Sequence, residues 1–186
     1  MLRNWNNARR CHSAALHPNL AFSLVWKKPP VGFIRINTDA AIFKELGTTS
    51  TGFVVRNSNG DCIAVGSNIF SGVLDPSTVE AMSIREALSW VKKKNLHSVI
   101  IESDSKLVIQ SLLSNRRNRS DVDFIVIDCL FLCNSINDVH FGFCKRSANC
   151  AAHTLARNAS SMSGLVYWDL SVPSCISSAL AADKVY

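Results

Sequence analysis

The chain has 186 residues, 47% hydrophobic and 18% charged, which is enough apolar material for one well-buried core and too little length for two ordinary domains. Its formal net charge of +6 suggests a polyanionic partner, yet Arg3, Arg9, Arg10, Lys27, Lys28 and Arg35 all precede Asp39, the first acidic residue; twenty basic residues less those six leave fourteen against fourteen acidic ones. The body of the chain is neutral, so affinity for nucleic acid has to come from local patches or from the basic N-terminal arm.

No apolar run approaches the ~20 residues of a membrane span, and a soluble intracellular protein, nuclear or cytoplasmic, is expected. The seven cysteines form no Cys-x-x-Cys pair. They read as reduced, small buried hydrophobes rather than as a metal site.

Residues 1–30 read as an arm or linker, with a short helix around Trp5 to Ala15, closed by Lys27-Lys-Pro-Pro30. A mitochondrial presequence is the weaker reading, since the stretch lacks an apolar face. Such an arm after Met1 suggests a piece of something longer. Phe33, Ile34 and Ile36, interleaved with Arg35 and Asn37, predict a strand ending at Asp39. A turn through Glu45-Leu-Gly-Thr leads to a second strand at Gly52 to Arg56. Asn57-Ser-Asn-Gly-Asp is a hairpin turn, because Asn59-Gly60 tolerates positive φ, and a third strand runs from Cys62 to about Phe70.

Asp75-Pro-Ser-Thr supplies helix-capping chemistry, and Ala81, Ile84, Leu88 and Val91 keep one helical face until Lys92-Lys-Lys-Asn95. A short buried strand at Ser98 to Glu102 precedes a helix from about Asp104 to Leu113. Arg116, Arg117 and Arg119 make a basic turn, Asp121 to Cys133 a helix, Val139 to Phe143 a last strand, and Ala148 to Ser160 an Ala-rich helix. An irregular tail with Trp168 and Leu170 packed back is expected beyond Gly164. The order βββ-α-β-α-α-β-α predicts an α/β domain over 31–162, a five-stranded mixed sheet with helices on both faces, followed by a C-terminal tail over 163–186.

Three carboxylates, Asp39, Glu80 and Asp104, stand where these elements begin or end, and clustered carboxylates bind hard divalent cations. Each has an ordinary alternative. Ser77-Thr-Val-Glu80 spells a capping box, Asp104 can cap its helix, and Asp39 can be a strand-terminating residue.

The run of motifs Trp26-Lys-Lys-Pro-Pro-Val-Gly-Phe-Ile-Arg-Ile-Asn-Thr-Asp-Ala-Ala, Gly52-Phe-Val-Val-Arg-Asn-Ser-Asn-Gly, Val79-Glu-Ala-Met-Ser-Ile-Arg-Glu-Ala-Leu, Ile101-Glu-Ser-Asp-Ser-Lys-Leu-Val-Ile and Arg146-Ser-Ala-Asn-Cys-Ala-Ala-His-Thr-Leu-Ala resembles a ribonuclease H type 1 domain, in its plant reverse-transcriptase-like, retroelement-derived form. The pieces cover about Trp26 to Ser160 in the right order. The resemblance implies the ribonuclease H fold and a monomeric endonuclease. Such an enzyme hydrolyses the RNA strand of RNA/DNA hybrids with two Mg2+ ions, or Mn2+ instead, held by four carboxylates. Asp39, Glu80 and Asp104 fall on the first three of those positions. The fourth, four residues after Asn149, holds His153, which can still ligate a metal but suits softer ions and removes a negative charge; it also reads as a half-exposed helical histidine with no ligand role.

A second departure is Phe143, where relatives often carry a flexible-loop histidine. His140 is offset by three residues and points to the opposite strand face. Lys93, Arg116, Arg117, Lys145, Arg146 and Asn149 are the candidates for nucleic-acid contact. Hybrid cleavage is the favoured function, and a catalytically weak or inactive nucleic-acid-binding module domesticated from a retroelement is the alternative.

Overall fold

A computed structural model describes residues 24–114, 120–159, 164–169 and 171–183. The helix expected around Trp5 to Ala15, the basic turn of Arg116, Arg117 and Arg119, and Leu170 lie outside them. The strands are β1 (Ile34–Phe43), β2 (Thr48–Arg56), β3 (Cys62–Ser71), β4 (Ser98–Ser103), β5 (Asp138–Phe143) and β6 (Val166–Asp169). The helices are α1 (Pro76–Lys93), α2 (Lys106–Leu113), α3 (Asp121–Cys133), α4 (Cys150–Asn158) and α5 (Ser177–Asp183). One mixed sheet of order β5-β4-β1-β2-β3-β6 results. β1, β2, β3 and β6 pair antiparallel, while β4 pairs parallel with β1 and with β5.

The sheet has six strands rather than the five expected. The stretch read as an irregular tail supplies β6, whose Val166, Tyr167, Trp168 and Asp169 pair with Ser67, Gly66, Val65 and Ala64 of β3. It also supplies α5. Four residues are too few for their period to stand out in the sequence, and β6 is specified by the β3 edge it closes. β1 also runs past Asp39 to Phe43, because Ala40-Ala-Ile-Phe43 stays in register with Thr48–Thr51 of β2. The hairpin turn forms as expected. Asn57 Oδ1 accepts from the backbone N–H groups of Asn59 and Asp61, and Gly60 takes φ 88°.

Strand alternation sorts side chains to two faces. Ile36, Phe53, Val55, Val99, Ile101, Val139 and Phe141 join Ala81, Ile84, Leu88 and Val91 of α1 and the buried faces of α2 and α3 in the larger core. On the other face Val54 and Val65 pack under Ala151, Ala152 and Leu155 of α4 and Ile176. α4 lies so close to β2 that a Cβ on Gly52 would stand 2.9 Å from Ala156 N. Gly52 is the cross-strand partner of Asp39, so this close approach brings α4 down onto that carboxylate. Among the described residues no helix is long and apolar enough to cross a membrane, and the six described cysteines are free.

A row of polar groups crosses the α4 face beside the smaller core. Arg35 Nη1 donates to Glu102 Oε1 at 2.7 Å, Asn37 Nδ2 to Glu102 Oε2 at 3.2 Å, and Arg56 Nη2 to Asn37 Oδ1 at 2.7 Å. Arg56 is only 1% exposed. Its guanidinium lies 3.8 Å from the centre of the Trp26 ring and donates to Asp183 Oδ2 of α5 at 2.5 Å. Burial pushes the Arg56 guanidinium down from its ordinary pKa and the Asp183 carboxylate opposes that shift, so the pair is what keeps a buried cation tolerable. Replacing Asp183 by Ala is expected to destabilise the protein by about 3 kcal/mol, because it strands a buried charge. Asp183→Asn, which keeps an acceptor, is expected to cost less; urea denaturation of the two variants gives the comparison.

Candidate metal centre

The β1–β4 ladder ends at the pair Thr38↔Ser103. Asp39 and Asp104 are each the next residue, so the two carboxylates emerge side by side where β4 stops and β1 runs on. Asp39 is 1% exposed. Its Oδ1 accepts from the Ala40 backbone N–H at 2.8 Å and its Oδ2 lies 2.7 Å from His153 Nδ1.

Glu80 arrives from the first turns of α1. The capping box read in Ser77-Thr-Val-Glu80 is not formed: Asp75 is the N-cap, its Oδ2 accepting from Ser77 N and Thr78 N at 3.0 and 3.2 Å. Pro76 occupies the first helical position, where its missing N–H costs nothing. Glu80 therefore stands beyond the capping positions and is free for the cluster. The capping box that does form is Ser120 with Asp123, at the start of α3. Asp104 caps nothing either, since the N-cap of α2 is Ser105.

One oxygen from each of Asp39, Glu80 and Asp104 lies within 4.8 Å of the other two. Glu80 Oε2 is buried without a hydrogen-bond partner. Burial, and then the negative charges of Asp39 and Asp104, push the Glu80 carboxyl up to about 10. Asp104 is raised by burial and by Asp39, with Arg146 and the Asn149 amide opposing. These are the signs of like charges sharing a poorly hydrated site. All three donors are carboxylate oxygens, the set that suits a hard divalent cation.

Two further groups close the site from the turn Arg146–Ala148 and from α4. Asn149, fully buried, donates from Nδ2 to Thr38 O at 2.9 Å and to Asp104 Oδ1 at 3.4 Å, tying the α4 start to the ends of β1 and β4. Arg146 Nε lies 3.9 Å from Asp104 Oδ2 and its Nη2 lies 3.1 Å from His153 Nδ1. His153 Nδ1 cannot both accept from Arg146 and donate to Asp39. The shorter contact, to a carboxylate, is the hydrogen bond, with Nδ1–H donating to Asp39 Oδ2; Arg146 is drawn to the site by the carboxylates rather than by the imidazole.

The other candidates are scattered. Lys145 is exposed beside Arg146, while Lys93 lies at the far end of α1, 5.5 Å from the Tyr167 ring centre and about 20 Å along the helix from Glu80. Arg116 and Arg117 are outside the described residues. His140 and Phe143 take opposite faces of β5 as expected: His140 Nε2 pairs with Asp138 Oδ1 at 2.9 Å, and Phe143 packs on the larger core. The Arg56 row escaped sequence reasoning. Its signal was the polar alternation Arg35, Asn37, Asp39 along β1, of which only the last residue stood out as chemistry.

Residues 37–159 match the family described as reverse transcriptase-like. Over 170 residues, 90% of the chain, it is 29% identical to the "Putative ribonuclease H protein" of Arabidopsis thaliana, and it spans 27% of that protein's length. The fold is that of ribonuclease H1 from Halobacterium salinarum, at a TM-score of 0.64 and 20% identity over 69% of this chain and 97% of that one. LC11-RNase H1, solved in complex with an RNA/DNA hybrid, gives a TM-score of 0.58 at 17% identity, covering 66% of this chain and 92% of that one.

The raised Glu80 carboxyl has a consequence for pH. A group whose folded pKa exceeds its unfolded one adds stability that is complete below the unfolded value and is lost as pH rises toward the folded value. For Glu80 that window runs from 4.5 to about 10. The metal-free protein, melted in chelator at a series of pH values, is expected to lose stability across it; Glu80→Gln is expected to flatten the decline.

Proposed function

The chain belongs to the reverse-transcriptase-like family, and from that premise we propose that it is a divalent-metal-dependent endonuclease hydrolysing the RNA strand of RNA/DNA hybrids. The observation that carries this reading is the convergence of Asp39, Glu80 and Asp104, at the place where β1, β4 and α1 meet. Two of the three have no role in capping the helices beside them, and the buried Glu80 Oε2 has no N–H or hydroxyl donor, only the neighbouring Asp39 carboxylate with which it can share a proton that a cation would displace. Mg2+, or Mn2+, held there supplies Lewis-acid activation of a water and charge compensation at the phosphate.

The protein's own part is to hold the donors. Asp39 is oriented by the Ala40 N–H and by His153, Asp104 by Asn149, and Glu80 by the rigidity of α1. Hydrolysis adds water across the P–O3′ bond, the hydroxyl going to phosphorus and the proton to the departing 3′ oxygen. Arg146 lies against the carboxylates with the exposed Lys145 next to it in the chain, and this reading gives the two the phosphates of a bound strand as partners. In this reading Asn149 serves the nucleic-acid site from below, by fixing Asp104.

A second reading, a binding module that turns over slowly or not at all, is favoured by one observation: the fourth corner holds an imidazole already bonded to Asp39. Cleavage of a labelled RNA/DNA hybrid with Mg2+ and with Mn2+ decides between them. Wild type is expected to cut, and Asp39→Asn and Asp104→Asn each to lose on the order of 10²–10³-fold in rate. Hybrid retention without cleavage under either metal would leave the binding module; cleavage surviving Asp39→Asn would place the chemistry elsewhere.

A further inference from the structure

We propose that the site takes one divalent cation, and that the Arg146 guanidinium supplies the positive charge a second cation would bring. This rests on the metal-site reading above and concerns its ion count, for which the family resemblance implies two.

Among the described residues the group of three or more ligand atoms that lie close enough to share an ion is Asp39, Glu80 and Asp104. His153 does not extend that group. Its Nδ1–H is turned to Asp39 Oδ2 at 2.7 Å, so that nitrogen has no lone pair for a metal, and Nε2, which keeps one, points away from Asp39 across the ring and cannot share an ion with that carboxylate. The same bond uses the side of Asp39 Oδ2 that faces the fourth corner, and Oδ1 accepts from Ala40 N at 2.8 Å, which leaves each oxygen one lone pair for the ion shared with Glu80 and Asp104. An ion bridging Asp39 and the fourth corner would have to break the His153 bond to enter.

Arg146 stands at that entrance, with Nη2 3.1 Å from His153 Nδ1 and Nε 3.9 Å from Asp104 Oδ2. A dication brought beside it meets like charge. The formal charges agree once the ion has displaced the Glu80 proton: three carboxylates and one guanidinium then leave two negative charges, which one divalent cation neutralises, whereas four carboxylates call for two. The Arg146 backbone is fixed as well. Ser147 Oγ donates to Leu24 O at 2.6 Å, Ala148 N to Lys145 O at 2.8 Å and Asn149 N to Arg146 O at 3.0 Å. Its side chain remains 67% exposed, which leaves the guanidinium open to a phosphate approaching the bound ion.

Titration of the full chain with Mn2+, read by the paramagnetic resonance of the free ion and by calorimetry, tests this without any cleavage assay. Wild type is expected to bind one Mn2+ per chain at saturation. The double variant His153→Asp/Arg146→Gln, checked for a normal melting transition, is expected to bind two. Arg146→Gln alone is expected to keep one ion and bind it several-fold more tightly, since a neighbouring positive charge is gone. Two ions in wild type overturn the proposal and leave the metal-site reading intact; no ion at all overturns both. A double variant that still binds one, or an unchanged affinity in Arg146→Gln, shows that the guanidinium does not set the count and overturns the proposal.

Discussion

The parallel pairing of β1 with β4 is the constraint on which the rest of the candidate site depends. A shift of one residue in that ladder would send Asp104 to the opposite face from Asp39. The register is held by packing on one face, where Ile36 and Ile101 face each other in the core, and by polar pairing on the other, where Asn37 and Glu102 face each other and hydrogen-bond. α1 and α4 then bring Glu80 and His153 in from opposite faces of the sheet. A β-strand end, a parallel neighbour and two helices are needed to gather groups that lie 41, 65 and 114 residues from Asp39.

Gathering them is unfavourable in itself. Glu80 and Asp104 are both pushed toward their neutral forms by burial and by their carboxylate neighbours, so the folded chain stores repulsion that a cation relieves. Until one arrives, the protein uses what it has. Arg146 and the Asn149 amide moderate Asp104, and His153 lends a hydrogen bond to Asp39. These groups do a small part of what a metal does, with a charge too diffuse to activate water. Glu102, more deeply buried than either and also raised by burial, shows the contrast: Arg35 and Asn37 satisfy both of its oxygens and oppose that shift, and it is a structural carboxylate.

The sequence made the chemistry-bearing residues legible earlier than their surroundings. Long elements with a clear period, such as α1 and the first three strands, were readable because their apolar residues repeat at 3.6 or 2. Motif order then brought Asp39, Glu80 and Asp104 together, although local sequence alone offered each an ordinary job. The capping-box reading of Glu80 failed because Asp75, five residues upstream, takes the Ser77 N–H that the box would need and has Pro76 to start the helix. β6 and α5 were not readable because short segments carry no period, and their structure comes from the β3 edge and the Arg56 guanidinium. The bond between His153 and Asp39 spans 114 residues, and no spacing rule reaches that far.

Arg56 ties together parts of the chain that become available at very different times. Its partners are Trp26, 30 residues before it, and Asp183, 127 residues after it. Contacts of such separation close late, because the loop entropy has to be spent before they can contribute. A chain emerging from the ribosome meets Arg56 early and must keep that guanidinium hydrated until α5 is made. The smaller core, where Ile176 and Leu180 pack, cannot finish before then. The order of synthesis thus leaves the α4 side of the sheet open longest, and that is the side on which His153 and Arg146 reach the carboxylates.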